Sequence, residues 1–249
     1  MKFVLAEPRL LKESVSIISD LVNEVTFKAD ADKMELIAMD PANVAMVMFK
    51  IVSSAFVDYK VDKPVSFSVN LDNLDQILKR VKPNDTLHLE LDSKNNKLKI
   101  NIRGESNKTF NLSLIDIDES EQKIPDLKFN VKAEIPSAMF NEYIEDMDIV
   151  AESVALLAEP DKLTITSEGR FNAANVEIPR GEGAVINTNK KEKILAKYSI
   201  EYLKKIVKGA KLSDTAVIQF SEEYPLRVDY KVMDKLLLSF ILAPRVDSD

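Results

Sequence analysis

Lysines are concentrated in one short stretch of the sequence, LKKIVKGAK, residues 203–211. Four of its nine residues are lysine, although the whole chain carries a formal net charge of -7 at pH 7. Ammonium groups gathered on an otherwise acidic protein are suited to binding anions, and a row of them is suited to a phosphate backbone. The chemistry predicted for this stretch is therefore electrostatic binding.

Helical spacing separates the apolar residues of this stretch from its lysines. The predicted buried stripe consists of Leu203, Ile206, Val207 and Ala210. The lysines of the opposite side are Lys204, Lys208 and Lys211, with Lys205 at the flank. Because surface helices usually carry charges, a solvated face is the alternative interpretation.

Groups that could support catalysis are few. The chain has one histidine, His88, no cysteine and only 5 glycines, so the sequence predicts no thiol nucleophile, no zinc site and no glycine-rich phosphate loop. His88 lies in the alternating stretch TLHLEL, where a strand residue is expected. A metal-dependent nuclease is the one concrete enzyme alternative. Its magnesium ligands would be Asp116, Asp118, Glu119 and Glu121, which otherwise act as solvating charge.

The length and composition suit two intracellular domains. A chain of 249 residues with 45% hydrophobic residues can bury two cores, and the absence of cysteine excludes a disulfide framework. The N-terminal stretch MKFVLAEPRLLKE is interrupted by Glu7, Pro8 and Arg9, so we expect neither a signal peptide nor a membrane span.

The sequence repeats itself at an offset of 129 residues. The segment from Val69 to Leu91 aligns with the segment from Tyr198 to Phe220, so that Leu74 matches Leu203 and Asp85 matches Asp214. Residues 27–38 align with 156–167 at the same offset. We interpret this as an internal duplication.

Each half predicts a short strand, an amphipathic helix, two alternating strands, a second helix and two or three further strands. Short gaps between strands indicate antiparallel pairing, so the predicted class is α+β: two duplicated domains of antiparallel sheet, each with two helices on one face. The predicted domains span residues 1–116 and 130–249. Residues 117–129, acidic and containing Pro125, are the predicted interdomain connector.

The duplication places a second basic helix in the first half. Leu74, Ile77, Leu78 and Val81 form its predicted buried stripe, and the outward cations are Lys79, Arg80 and Lys82. Lys79 corresponds to Lys208, and Lys82 corresponds to Lys211. Equivalent cations on two helices of an acidic chain favour phosphate binding over a merely solvated surface.

Several stretches together resemble the archaeal and eukaryotic sliding clamps of the proliferating cell nuclear antigen type. They are AMDPANVAMVMF (38–49), LIDIDESEQKIPDL (114–127), EYPLRVDY (223–230) and ILAPR (241–245), and the resemblance covers essentially the whole chain. It implies the DNA-clamp fold, with three subunits closing head to tail into a ring around duplex DNA. It also implies a processivity factor without catalytic residues, metal or cofactor.

The resemblance places the second helix of each domain beside the DNA. The implied DNA-binding residues are Lys12, Lys79, Arg80, Lys82, Lys204, Lys205, Lys208 and Lys211, with Arg9 as a further candidate. Contacts to phosphate carry no base sequence, so binding should be non-specific and salt-sensitive. The first helix of the second domain departs from the family, because residues 139–150 present acidic side chains.

The resemblance also implies a pocket for partner proteins that carry a glutamine, an aliphatic residue and paired aromatics. The matching positions are Met39, Val44, Met46, Ile124, Pro225, Ile241, Ala243 and Pro244. The implied partners are DNA polymerase, the clamp loader, a flap nuclease and DNA ligase. Met39, Val44 and Met46 could equally be core residues, and Gln122 and Lys123 depart from the family pattern.

Subunit contact in the family joins edge strands of neighbouring copies. The matching segments are KTFNLSLI (108–115) and FNAANVEI (171–178). The implied assembly is a homotrimer; a subunit of a heterotrimeric or checkpoint-type clamp is the alternative. The implied location is the cytoplasm, at the nucleoid, for an archaeal chain and the nucleus for a eukaryotic one, with no membrane partner.

Overall fold

A computed structural model describes residues 1–117, 122–181, 184–188 and 193–245. It contains antiparallel sheets and four α-helices in this part of the chain, which confirms the predicted α+β class. The acidic connector residues Asp118, Glu119 and Glu121 lie outside the described residues. Residues 122–129, the described part of the predicted connector, form no helix or strand.

The first half contains nine strands and two helices within the described ranges. The strands are β1 (Lys2–Leu5), β2 (Glu24–Ala29), β3 (Lys33–Met39), β4 (Ala45–Val52), β5 (Asp58–Lys60), β6 (Val65–Asn70), β7 (Thr86–Asp92), β8 (Lys97–Arg103) and β9 (Asn107–Ser113). The helices are α1 (Arg9–Ser19) and α2 (Leu71–Leu78), and a 3₁₀ turn spans Ser53–Ala55.

The second half follows the same order. Its strands are β10 (Val131–Pro136), β11 (Ser153–Ala158), β12 (Lys162–Glu168), β13 (Ala173–Pro179), β14 (Val185–Thr188), β15 (Ile194–Ser199), β16 (Thr215–Phe220), β17 (Leu226–Val232) and β18 (Leu236–Leu242). Its helices are α3 (Ser137–Asp148) and α4 (Ile200–Ile206), and a 3₁₀ segment, Val207–Lys211, continues α4.

The two halves repeat at the predicted offset. Seven strands of the second half, β10, β11, β12, β15, β16, β17 and β18, each begin 129 residues after their counterparts β1, β2, β3, β6, β7, β8 and β9. Helix α4 likewise begins 129 residues after α2. The structure therefore confirms the internal duplication.

The prediction of two strands between the helices of each half was wrong. Five strands, β2 to β6, separate α1 from α2, and five, β11 to β15, separate α3 from α4. The short strands β5 and β14 have three and four residues, which is too few to show an alternating pattern.

Contact density divides the chain into two compact units. The first comprises Met1–Pro41, Val47–Gln122 and Val232–Leu238, and the second comprises Ala42–Met46, Lys123–Lys231 and the described residues after Leu238. A short segment from each half of the sequence, Ala42–Met46 and Val232–Leu238, thus belongs to the unit formed mainly by the other half. Neither unit is therefore one continuous stretch of the chain. The boundaries at 1–116, 117–129 and 130–249 stay a prediction.

In the first unit, one sheet has the order β5-β1-β7-β8-β9, and in a second sheet β2 pairs with β3 and with β6. Helices α1 and α2 contact each other. Helix α1 buries Leu11, Val15 and Ile18, and α2 buries Leu74 and Leu78. Asn70 caps the start of α2, since its side chain accepts a hydrogen bond from the amide of Asn73 (3.0 Å).

In the second unit, one sheet has the order β13-β12-β11-β15, and in another β10 pairs with β14 and β16 while β16 pairs with β17. Helix α3 contacts α4 and buries Phe140, Ile144 and Met147. The hydroxyl of the buried Tyr198 donates a hydrogen bond to the carbonyl of Tyr224 (2.7 Å). No helix of the described residues is both long and apolar enough to cross a membrane.

Candidate nucleic-acid and partner interfaces

The four lysines of the stretch 203–211, here called the second basic segment, lie on two kinds of helix. Lys204 and Lys205 occupy the last turn of α4, where positive charge is favoured by the helix dipole. Lys208 and Lys211 lie on the 3₁₀ segment. Lys204, Lys208 and Lys211 are exposed and Lys205 is half-buried, so the predicted outward placement of these cations is correct.

The change from α-helix to 3₁₀ segment alters which residues are buried. A 3₁₀ segment repeats every three residues, so the buried side passes through Ile206, Gly209 and Leu212. Ala210, which α-helical spacing places in the core, is half-buried instead. The sequence pattern missed this because it assumed one helix throughout.

Gly209 is buried against an aromatic ring. A Cβ atom added to Gly209 would overlap Cδ2 and Cε2 of Tyr230, a fully buried residue of β17. Only glycine lets the 3₁₀ segment approach the sheet this closely. The contact therefore fixes how closely the 3₁₀ segment, which carries Lys208 and Lys211, packs against β17.

We expect Gly209→Ala to reduce the free energy of unfolding by about 1–3 kcal/mol, because the added methyl group must displace the Tyr230 ring or the 3₁₀ segment. Urea unfolding at a fixed protein concentration measures this change as a lower midpoint. The same substitution in a Tyr230→Leu background is the control, since the smaller side chain relieves the overlap. Equal losses in both backgrounds would contradict the assignment to Tyr230.

The first basic segment, Lys79, Arg80 and Lys82, does not lie on a helix. Helix α2 ends at Leu78, and the three exposed cations occupy the turn that follows, which corrects the sequence-based placement. Asp85 closes this turn: its carboxylate accepts a hydrogen bond from the Lys82 amide (2.9 Å), and its own amide donates to the Lys82 carbonyl (3.1 Å). These bonds pair the backbone amide and carbonyl of Lys82, while the carbonyls of Ile77 and Leu78 at the helix end accept hydrogen bonds from the amides of Arg80 and Val81.

Lys12 belongs beside the first basic segment. Its Nζ donates a hydrogen bond to the carbonyl oxygen of Val81 (3.0 Å), the residue immediately before Lys82. Lys12 is half-buried, and it joins α1 to the chain that follows α2. Arg9, the further candidate, is exposed at the start of α1.

Several of these cations form ion pairs with carboxylates. The ion pairs are Lys79–Asp75 (2.5 Å), Lys82–Glu105 (2.7 Å), Lys204–Asp148 (2.6 Å) and Lys205–Glu201 (3.6 Å). The hydrogen bond and charge of Asp75 raise the pKa of Lys79 above its ordinary value. These partners were not predicted from the sequence. The four-residue spacing of Asp75–Lys79 and Glu201–Lys205 would have indicated two of them, whereas Glu105 and Asp148 are distant in sequence.

The acidic face of α3 is present as predicted. Glu142 and Glu145 are exposed, and Asn141 donates a hydrogen bond to Glu145 (2.9 Å). Tyr143 on the same helix is half-buried. A groove of about 850 Å³ in the second unit is lined by this helix and by α4, so acidic and basic side chains share its walls.

His88 has the environment of a structural strand residue. It is half-buried on β7 between Val4 and Asn101, and its pKa is lowered by burial and, to a lesser extent, by Arg103 and Lys2. Among the described residues no group of three or more histidine, aspartate or glutamate side chains could hold a metal ion. Asp116 is exposed, and the other three carboxylates of the nuclease hypothesis lie outside the described residues.

The eight candidate partner-binding residues differ in exposure. Ile124 is exposed, and Met39, Val44, Pro225, Ala243 and Pro244 are half-buried. Met46 and Ile241 are buried, as expected of core residues. In the second unit the amide of Ala243 donates to the carbonyl of Val44 (2.9 Å), which places these two candidates next to each other. The role of the set stays a prediction.

The segment 108–115 predicted for subunit contact forms most of β9, the last strand of its five-stranded sheet in the described part of the chain. Its pairing with β8 is fixed by two hydrogen bonds, from the Gly104 amide to Ser106 and from the Leu114 amide to Asn96. Alternation along an antiparallel pair then directs the backbone groups of the odd-numbered residues, Asn107 to Ser113, toward the open edge.

The segment 171–178 forms most of β13, which is likewise the last strand of its sheet. Hydrogen bonds from the Gly169 amide to Asn172 and from the Arg180 amide to Asp161 fix its pairing with β12. The odd-numbered residues Ala173 to Pro179 therefore face the open edge. Pro179, which lacks an amide hydrogen, occupies a position where no donor to β12 is needed.

This is a duplicated α+β chain in which lysines recur at equivalent positions after the second helix of each half. In the described part of the chain, β9 and β13 each end a sheet with one open edge, and this is the architecture of a sliding clamp. The family comparisons agree. The N-terminal domain of proliferating cell nuclear antigen matches residues 1–122, and its C-terminal domain matches residues 123–245. The chain belongs to the proliferating cell nuclear antigen family.

Curated relatives and solved structures support this assignment. The "DNA polymerase sliding clamp" of Nanoarchaeum equitans is 40% identical, covering 99% of this chain and 100% of that protein. The "DNA polymerase sliding clamp" of Thermococcus gammatolerans is 33% identical, covering 94% of this chain and 93% of that protein. The crystal structure of the antigen from Thermococcus kodakaraensis has a TM-score of 0.91 at 26% identity, covering 98% and 99% of the two chains. That from Entamoeba histolytica, at 23% identity and a TM-score of 0.92, shows the shared fold.

Membership also decides between the binding and catalytic interpretations. Sliding clamps are non-catalytic processivity factors, so the chain is not an enzyme. The metal-dependent nuclease hypothesis, which rested on acidic residues of the connector, has no further support.

Proposed function

We propose that this sliding clamp closes, as three copies, into a ring around duplex DNA and tethers a DNA polymerase to it. The observation that carries the proposal is that Lys79 and Lys82, after α2, recur at equivalent positions as Lys208 and Lys211, after α4. Duplicated cations in an acidic chain are expected where a phosphate backbone passes both domains. Tethering raises the local enzyme concentration without requiring tight contacts to DNA.

The proposed DNA contacts are the eight cations named above. Lys82, Lys204, Lys208 and Lys211 are exposed and can reach phosphate directly. Lys12 is half-buried, and Lys79 pairs with the buried carboxylate of Asp75, so we assign these two a smaller share of the binding. Lys82 and Lys204 also pair with carboxylates, Glu105 and Asp148, but those partners are more exposed than Asp75. Contacts of this kind are independent of base sequence, which allows the ring to move along the duplex.

The proposed partner site uses the exposed and half-buried members of the candidate set, led by Ile124, Val44 and Ala243. An apolar surface that includes methionine suits short ligands that fold as a helical turn. DNA polymerase is the partner named for the relatives; the clamp loader, flap nuclease and DNA ligase extend the proposal to other enzymes that act on DNA. A clamp acts where the DNA is, which for relatives of archaeal origin is the cytoplasm.

The proposal is tested by the mass of the assembly and by its retention on DNA. Light scattering behind a sizing column should give three times the 28.0 kDa chain mass at micromolar concentration. Once loaded, the ring should remain on circular DNA and slide off linear DNA with free ends. A persistent monomer would contradict self-closure and favour the heteromeric alternative, and equal retention on both DNA forms would contradict encirclement.

A further inference from the structure

Asp148 is placed where helix energetics disfavour it. It is the last residue of α3, and a negative charge at a helix C-terminus is opposed by the helix dipole. Its carboxylate contacts Lys204, a proposed phosphate-binding residue on α4, at 2.6 Å. The carboxylate therefore acts on Lys204 rather than stabilising its own helix.

Three further carboxylates that pair with proposed DNA contacts differ from Asp148. Asp75 is buried with 7% of its side chain exposed, so releasing Lys79 would leave a buried charge without its partner. Glu105 and Glu201 are 84% and 77% exposed, so solvent screens their pairing with Lys82 and Lys205. Asp148 lies between these cases at 41% exposed, with Lys204 at 47%.

We propose that Asp148 competes with DNA phosphate for Lys204 and thereby limits the affinity of the second domain for DNA. The inference rests on the proposed function, in which Lys204 faces the duplex. A phosphate that approaches Lys204 must displace Asp148 or share the ammonium group with it. The pair is accessible enough for a phosphate to exchange with Asp148. A clamp that must slide gains mobility when each contact is weak.

The pairing also joins two helices that line the mixed-charge groove. Lys204 and Asp148 are 56 residues apart in sequence, and both line the groove between α3 and α4. Helix α3 thus has a defined effect on α4: Asp148 neutralises Lys204. Lys208 and Lys211 follow Lys204 in the sequence and lie on the 3₁₀ segment.

Asp148→Asn in the full-length chain tests the proposal. We expect the variant to bind a short fluorescent duplex about two- to fivefold more tightly at low salt, the gain expected for one exposed charge pair. The slope of log affinity against log salt should become more negative by about 0.9, because one more phosphate is neutralised. Fluorescence anisotropy over a salt series gives both quantities.

Asp146→Asn is the matched control. It removes the same charge from the same helix, but Asp146 is exposed and is not the carboxylate that pairs with Lys204. A gain from Asp148→Asn that Asp146→Asn reproduces would show a general charge effect and overturn the proposal. Thermal unfolding of both variants checks that the fold is retained.

Lys204→Ala separates this inference from the proposed function. In the Lys204→Ala background, Asp148→Asn should give no increase in slope, since the cation for which it competes is gone. If Lys204→Ala weakens DNA binding but Asp148→Asn does not strengthen it, competition is wrong and the DNA contact stands. If Lys204→Ala has no effect on DNA binding, the proposed contact itself fails and the inference with it.

Discussion

Replacing Lys204, Lys208 and Lys211 together with alanine is expected to weaken binding to duplex DNA by about ten- to a hundredfold at low salt. The slope of log affinity against log salt should become less negative by about 2 to 3, because each lysine neutralises one phosphate. The loss is enlarged at Asp148, which keeps its charge but no longer has Lys204 beside it. Stimulation of a polymerase on primed circular DNA should decrease in parallel, with an unchanged assembly mass.

The matched control removes three lysines elsewhere. Lys94, Lys97 and Lys99 are exposed at and before β8, in the first unit, and their replacement changes the net charge by the same amount. We expect this variant to keep most of its DNA affinity. If both triple variants lost the same affinity and slope, the second basic segment would have no special role and the net charge would account for binding.

Asn175→Pro is expected to convert the assembly from three chains toward the 28.0 kDa monomer at micromolar concentration. Asn175 lies on β13, and the pairing with β12 directs its backbone amide toward the open edge. Proline removes that donor and places its ring where a second strand must approach, at a cost of about 1–3 kcal/mol per interface. A closed ring repeats the loss at every interface. Light scattering over a range of concentrations measures the shift.

Asn175→Ala is the control, since it keeps the backbone amide and alters only an exposed side chain. We expect its mass to equal that of the original chain. A trimer that tolerates proline at this position would show that β13 does not pair through its open edge. The fold of the variant is checked by circular dichroism, because the edge position leaves the hydrogen bonds to β12 intact.

Much of the fold could be predicted because its signals are local. Apolar residues at every second position mark strands, and those at every third or fourth mark helices, so the class and the duplication followed from the periodicity. The strands β5 and β14 were not predicted, because three or four residues are too few to show a period. The ends of α2 and α4 were also not predicted, because α2 is followed by a turn and α4 by a 3₁₀ segment, and neither carries a distinct sequence pattern.

The sequence by itself determined which residues carry charge, that the chain is duplicated, and that its basic residues recur at equivalent positions. Only the tertiary structure decided how those charges act. Tyr230 reaches Gly209 from another element, Asp148 reaches Lys204 across 56 residues, and the odd-numbered residues of β13 face an open edge. Contacts between distant segments depend on how the elements pack, and neither side-chain period nor composition contains that information.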